Sequence, residues 1–165
     1  MNRRGFTLIE LLVVIAIISV LLTLATLAFN QWVRKSQIER EVKELYADLM
    51  SIRHQAVVTG MTHRIQFVSP KSIILLRYSS EGDATGTQIQ QKSLPYTISQ
   101  SSPTFNNIDF NSRGMMEDPT QKSICIFSDA GSVPDSIVIQ QSRISLGKII
   151  NQGSATCDIS NITLQ

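Results

Sequence analysis

Charge is missing from a long stretch near the start of the chain: from Leu11 to Phe29 there is no Asp, Glu, Lys or Arg. Proline and glycine are missing over a longer one, residues 6–58. The first absence leaves an apolar run of about 20 residues, enough to cross the roughly 30 Å hydrocarbon layer of a bilayer. The second removes the two residues that most readily end helices. One continuous helix of about 53 residues, roughly 80 Å long at 1.5 Å per residue, is therefore expected. There are 2 cysteines and 2 histidines. His54 and His63 show no ligand spacing with Cys125 or Cys157, so neither a zinc site nor any other cofactor is expected. No A-x-A cleavage pattern follows the apolar run, where Asn30-Gln31-Trp32-Val33-Arg34-Lys35 stands instead. That, with a core longer than 7–15 residues, excludes a Sec-type signal peptide.

A surplus of cations is absent too. Residues 61–165 carry eight Lys/Arg and eight Asp/Glu, while residues 1–60 carry seven and five. A neutral C-terminal portion has no built-in long-range attraction to polyanions. Signs of catalysis are equally thin. His54 falls on the predicted helix and His63 at a strand start; both read as surface or half-buried histidines, with no nucleophile–base motif around them. Gly82-Asp83-Ala84-Thr85-Gly86 lacks the Gly-Lys-Ser/Thr ending of a phosphate loop and reads as a solvated hairpin tip. An enzyme is not expected.

At the head of the apolar run stands Arg3-Arg4-Gly5-Phe6-Thr7-Leu8-Ile9-Glu10. A lone carboxylate at the edge of such a run is costly and calls for a cationic partner. A plain single-pass anchor would explain Arg3 and Arg4 by the positive-inside bias but not the Gly-Phe-Thr-Leu-Ile-Glu register. The segment resembles the class III signal of type IV pilins and of the pseudopilins of type II secretion systems. The resemblance implies that a prepilin peptidase cuts between Gly5 and Phe6 and methylates the new amino terminus of Phe6. It also implies that Glu10 pairs with an α-amine in the assembled filament. On this reading residues 1–5 are a leader, 6–29 a transmembrane and filament-core helix, 30–60 its amphipathic continuation, and 61–165 a β-rich periplasmic head. The protein would be a single-pass component of the bacterial inner membrane, with other pilins or pseudopilins as partners. In an oxidising periplasm Cys125 and Cys157 are expected to form a disulfide, the alternative being two separate buried thiols.

Beyond the apolar run, Ile38, Val42, Leu45, Leu49, Ile52 and Ala56 recur at steps of four and three, one face of a helix. The pairs Glu39–Lys43 and Arg40–Glu44 support its charged face, and Gly60 is a helix stop. Residues 63–68 and 72–78 flank Ser69-Pro70-Lys71 as a hairpin. Further strands are predicted over 87–92, 96–99, 105–110, 123–128, 136–141 and 143–150, with a last edge strand around Ile159, Ile162 and Leu164. Asp129-Ala130-Gly131 and Leu146-Gly147 read as turns, and residues 99–104 as a polar linker. The expected class is α+β: a long helix packed on an antiparallel β-domain of one or two small sheets.

Phe110-Asn111-Ser112-Arg113-Gly114, Ile124-Cys125-Ile126 and Ile144-Ser145-Leu146-Gly147-Lys148-Ile149 are similar to the C-terminal pattern of the GspH/FimT minor pilins. That family often carries Gly-Arg-x-Arg on its final hairpin, where this chain has Gly147, Lys148, Ile149 and Ile150. The resemblance implies a minor pilin or pseudopilin for a pilus or secretion filament. DNA is the less favoured partner: a FimT-like DNA-binding pilin would use Arg143 and Lys148, too few cations for strong phosphate binding.

Overall fold

The computed structural model describes residues 7–79, 83, 85–101, 105–153 and 156–165, with the side chains of residues 24–28 outside the description. Helix α1 runs without interruption over Leu8–Thr59. It begins where the Thr7 hydroxyl accepts a hydrogen bond from the Glu10 amide at 3.3 Å, satisfying one of the orphan donors of the first turn. It ends at Gly60, whose φ of 66° places it in the left-handed region that a residue without Cβ adopts at no cost.

Two environments divide this helix. Leu8 to Leu22 present apolar side chains that are 45–82% exposed. From Ile38 onward one stripe disappears into the head: Ile38, Val42, Leu45, Leu49, Ile52 and Ala56 are 0–2% exposed. Among the described residues no helix is long and apolar enough to cross a membrane. The described side chains of Leu8–Thr23 alone fall short of the ~20 residues a span requires, and the expected span rests on the uncharged run in the sequence.

The head holds two antiparallel sheets. The first, in the order β3-β2-β1-β5, is built from β1 (His63–Ser69), β2 (Ser72–Arg77), β3 (Thr87–Ser93) and β5 (Asn107–Phe110). The second, β4-β6-β7-β8-β9, joins β4 (Ser99–Gln100), β6 (Lys122–Cys125), β7 (Ser136–Ile139), β8 (Ile144–Ile149) and β9 (Ile162–Leu164). Alternation along the strands aims Ile65, Phe67, Ile73, Leu75, Ile108 and Phe110 of the first sheet at the α1 stripe. Ile124, Ile137, Ile139 and Ile144 of the second sheet enter the same core. Strand β3 alone is almost wholly exposed, a polar edge of the kind that discourages pairing with other chains.

The second sheet is covered on its other face as well. Cys125, Val138, Ile149, Cys157 and Ile162 form a smaller core beneath the C-terminal tail, with Phe127 and Ile159 against it. Cys125 and Cys157 are disulfide-bonded across 32 residues, a loop whose closure adds about 3–4 kcal/mol on the chain-entropy account. The buried Asp135 carboxylate accepts the Ile149 amide and the Gln152 side-chain amide, each at 2.7 Å. Ser123 donates its hydroxyl to the Cys157 carbonyl. The tail is thus held by a covalent link and by buried hydrogen bonds.

Several sequence expectations are corrected. Of the strand expected over 96–99 only Ser99 belongs to one: Pro95 offers no N–H to a ladder, and residues 96–98 cross between sheets with Leu94 and Ile98 buried. The Leu94 and Ile98 amides bond to the Lys71 and Pro70 carbonyls. Ser99–Gln100, expected as linker, pairs with Cys125 and Ile124, and Ser101 exchanges two hydrogen bonds with Ser123; residues 102–104 lie outside the described residues. Glu39 turns from Lys43 to accept the Val133 amide at 3.0 Å. His63 is only 1% exposed and therefore no surface histidine.

Gly147 is no turn residue either, but sits inside β8 opposite Ser136 and Leu164. A Cβ there would stand 2.4 Å from Ile162 Cγ2 and 2.9 Å from Ser136 Oγ, so the missing side chain lets the tail close on the sheet. Gly147→Ala is expected to lower the stability of the head by about 1–3 kcal/mol through overpacking. Urea denaturation of a soluble form beginning at Asn30 measures the loss, and a double-mutant cycle with Ile162→Ala should be non-additive.

Candidate assembly surface

Glu10 lies in the first turn of α1, where its backbone amide is capped by Thr7. Its side chain projects among exposed apolar neighbours: Leu8, Ile9, Leu11 and Leu12 are 59–82% exposed. Among the described residues its carboxylate has neither an ion pair nor a hydrogen bond. An exposed apolar surface running the length of this half-helix is far larger than water-soluble monomers tolerate. Lipid or neighbouring helices must cover it, and a carboxylate so covered must meet a cation. Gly5 and Phe6, the expected cleavage and methylation residues, lie outside the described residues.

The two cations that a DNA-binding relative would use, Arg143 and Lys148, are not brought together. Arg143 occupies the turn between β7 and β8, where its carbonyl accepts the Gln140 amide at 2.7 Å. Lys148 lies near the other end of β8, opposite Thr163. Five residue steps at about 3.3 Å each separate them by about 16 Å. Ile150, at the second basic position of the family pattern, is an exposed apolar residue. Two isolated cations on a neutral domain make few phosphate contacts, and each contact carries only part of the counterion-release affinity.

Three other charged groups, Arg64, Asp109 and Lys122, are occupied within the fold. At the end of the head beside Gly60 a cleft of ≈ 620 Å³ is lined by Thr62, Arg64, Tyr78, Asn111 and Glu117, among others. Arg64 grips Asp109 with two hydrogen bonds and lies 5.0 Å from the centre of the Tyr78 ring. The Asp109 hydrogen bond raises the guanidinium pKa further, while burial pushes the Tyr78 phenol up. Neither arrangement pairs a nucleophile with a base. Lys122, largely buried, joins the two sheets: its ammonium donates to the Asn107 carbonyl, meets Asp118 at 3.0 Å and lies over the Phe105 ring. The Thr120 amide and hydroxyl, and then Lys122, hold the Asp118 carboxyl down at about 2. Among the described residues no cluster of three His, Cys, Asp or Glu side chains is placed to hold a metal.

Two features with no forecast in the helical pattern are also present. Phe29 and Trp32 form an exposed aromatic pair, centroids 6.3 Å apart, just past the apolar run. The signal was the one Trp of the chain, three residues beyond the last apolar aromatic. Glu41, in contrast, is buried beside the stripe, with Oε1 lacking a partner among the described residues.

Comparison with known proteins adds three findings. Residues 1–26 match the prokaryotic N-terminal methylation motif. The chain is 41% identical over 63 residues to fimbrial protein Q of Moraxella bovis, a stretch covering 38% of this chain and 40% of that protein. The match thus spans less than half of that relative's length. The fold is similar to two crystal forms of the type IV minor pilin FimU of Pseudomonas aeruginosa. In one the TM-score is 0.55 at 17% identity over 77% of this chain and 99% of that one. In the other it is 0.52 at 20% identity over 72% and 98%. The architecture expected from the sequence, a long helix packed on an antiparallel β-domain of one or two small sheets, is the one shared with these structures, here with two sheets.

Two predictions follow from the charges. Burial, the largest influence, raises the Glu41 pKa, as does the approach of Glu44 and Asp48, against an opposing effect of Lys92 and Arg40. A carboxyl with a raised folded pKa contributes its stability fully below the unfolded value and loses it as pH rises through the folded one. Glu41→Gln is therefore expected to stabilise the head at neutral pH, with the gain shrinking towards pH 4 in urea titrations. For DNA, the head is expected to bind duplex no tighter than about 10⁻⁴–10⁻⁶ M at physiological salt, and Lys148→Ala to leave this nearly unchanged. Fluorescence anisotropy checks both values.

Proposed function

We propose that this chain, which carries the methylation motif of type IV pilins on the fold of a type IV minor pilin, is a minor pilin or pseudopilin subunit. One observation carries the reading: the motif of residues 1–26 lies directly on an uninterrupted helix whose first half is exposed and apolar and whose second half is the core of a folded head. Prepilin peptidase would remove residues 1–5, leaving Phe6 as the amino terminus and the substrate of methylation. The mature chain would wait in the inner membrane with residues 6–29 as its span and the head in the periplasm. It would then leave the membrane for a pilus or pseudopilus, in its tip or initiating complex.

In that transfer the lipid around α1 is exchanged for neighbouring helices, an apolar-to-apolar exchange that costs little hydrophobic energy. The polar group at its head decides direction and register. Glu10 without a partner in an apolar bundle is strongly unfavourable, and paired with the α-amine of Phe6 on a neighbouring subunit it becomes tolerable. The role in this reading is structural. DNA recognition has no comparable support, since Arg143 and Lys148 stand apart.

Glu10→Ala is expected to leave leader removal intact and to reduce incorporation into sheared fibres by roughly tenfold or more, the loss of an uncompensated-charge contact of a few kcal/mol. Mass spectrometry of the membrane fraction, with immunoblotting of fibres, measures both. Retention of residues 1–5 in the wild-type protein would overturn the reading.

A further inference from the structure

The junction between the apolar half-helix and the head combines two features that the assembly reading leaves unused. Phe29 and Trp32 are 62% and 65% exposed. Within two residues of Trp32, Arg34 forms an ion pair with Asp129 of the β6–β7 loop at 3.1 Å, the two side chains being 54% and 83% exposed. Lys35 lies 4.0 Å from Glu39, and Glu39 in turn accepts the Val133 amide of the same loop. Two cations and two carboxylates therefore share this collar, and their formal charges cancel.

Length decides where the collar lies. The uncharged run Leu11–Phe29 is about 28 Å along the helix, close to the ~30 Å hydrocarbon thickness. Trp32 then stands about 4.5 Å past its end and Arg34 about 7.5 Å. Those depths fall in the interfacial layer, where an amphipathic indole is most favourably placed. The head grips α1 from Arg34 onward, so the loop around Asp129 meets the same layer.

We infer that this collar is a docking surface for phospholipid headgroups: Trp32 and Phe29 seat at the glycerol level of the outer leaflet, and Asp129 neutralises Arg34 in cis. The inference rests on the inner-membrane reading above. Its consequence is an anchor held at fixed depth by aromatic partition, insensitive to the charge of the lipid. A basic collar would bind anionic headgroups and hold back a subunit that has to leave. Here the loop of the head removes that attraction.

The single tryptophan provides the probe. The full-length protein is reconstituted into phosphatidylcholine vesicles brominated either near the carbonyl end or near the methyl end of the acyl chains, with or without phosphatidylglycerol. Expected are a blue-shifted emission and quenching by the shallow bromines about twice that by the deep ones, unchanged by phosphatidylglycerol. Asp129→Asn, at an exposed side chain, is expected to make both emission and quenching depend on phosphatidylglycerol; the double variant Asp129→Asn/Arg34→Gln, whose collar charges cancel again, should be indifferent to it. Quenching strongest with deep bromines, or absent in protein that floats with the vesicles, would overturn the docking surface while leaving the anchor standing. A wild-type response to phosphatidylglycerol, or an Asp129→Asn protein without one, would overturn the masking of Arg34. Protein that fails to float with the vesicles would overturn the membrane reading itself.

Discussion

The head is organised around the burial of one helical stripe. Ile38, Val42, Leu45, Leu49 and Ile52 each exchange water for the inner faces of two sheets that share no strand ladder among the described residues. At about 1.5–3 kcal/mol per large side chain, the five supply roughly 8–15 kcal/mol gross, the order of a domain's whole net stability. Without α1 the first sheet would expose an apolar face and the second would lose one of its two coverings. The helix is thus both anchor and core, and one element cannot be altered for one purpose without consequence for the other.

Most of this was legible because it is periodic. A 3.6-residue repeat from Ile38 to Ala56, uninterrupted by Pro or Gly, specifies a helix and its buried face with little competition from other structures. The hairpin around Pro70 and the helix stop at Gly60 follow from turn and cap chemistry that acts locally. Residues 1–10 were legible for another reason: their register is that of the N-terminal methylation motif found over residues 1–26, a pattern of sequence that owes nothing to the packing of the head. For the same reason the head says little about Gly5 and Phe6.

What was not legible depends on contacts distant in sequence. Gly147 looks like a turn because glycine usually marks one; that it admits Ile162 into contact with β8 is settled only when β9 arrives. Leu94 and Ile98 carry strand-like composition, but Pro95 and the need to pass from one sheet to the other override it. Arg143 and Lys148 are close in sequence, yet the extended β8 places them at opposite ends. The partners of Lys122 and Glu39 come from loops whose paths no local pattern determines.

The absence of any break in α1 has a mechanical corollary. With no glycine or proline between Glu10 and the stripe, the azimuth of the head about the helix axis is fixed relative to the Glu10 carboxylate. Each residue added or removed between them would turn the head by about 100° and shift it axially by about 1.5 Å. In any helical array packed through the apolar half, the number of residues in that segment sets which face of the head points outward. The phase of the helix, more than the chemistry of its surface, then selects the sides of the head that neighbouring subunits meet.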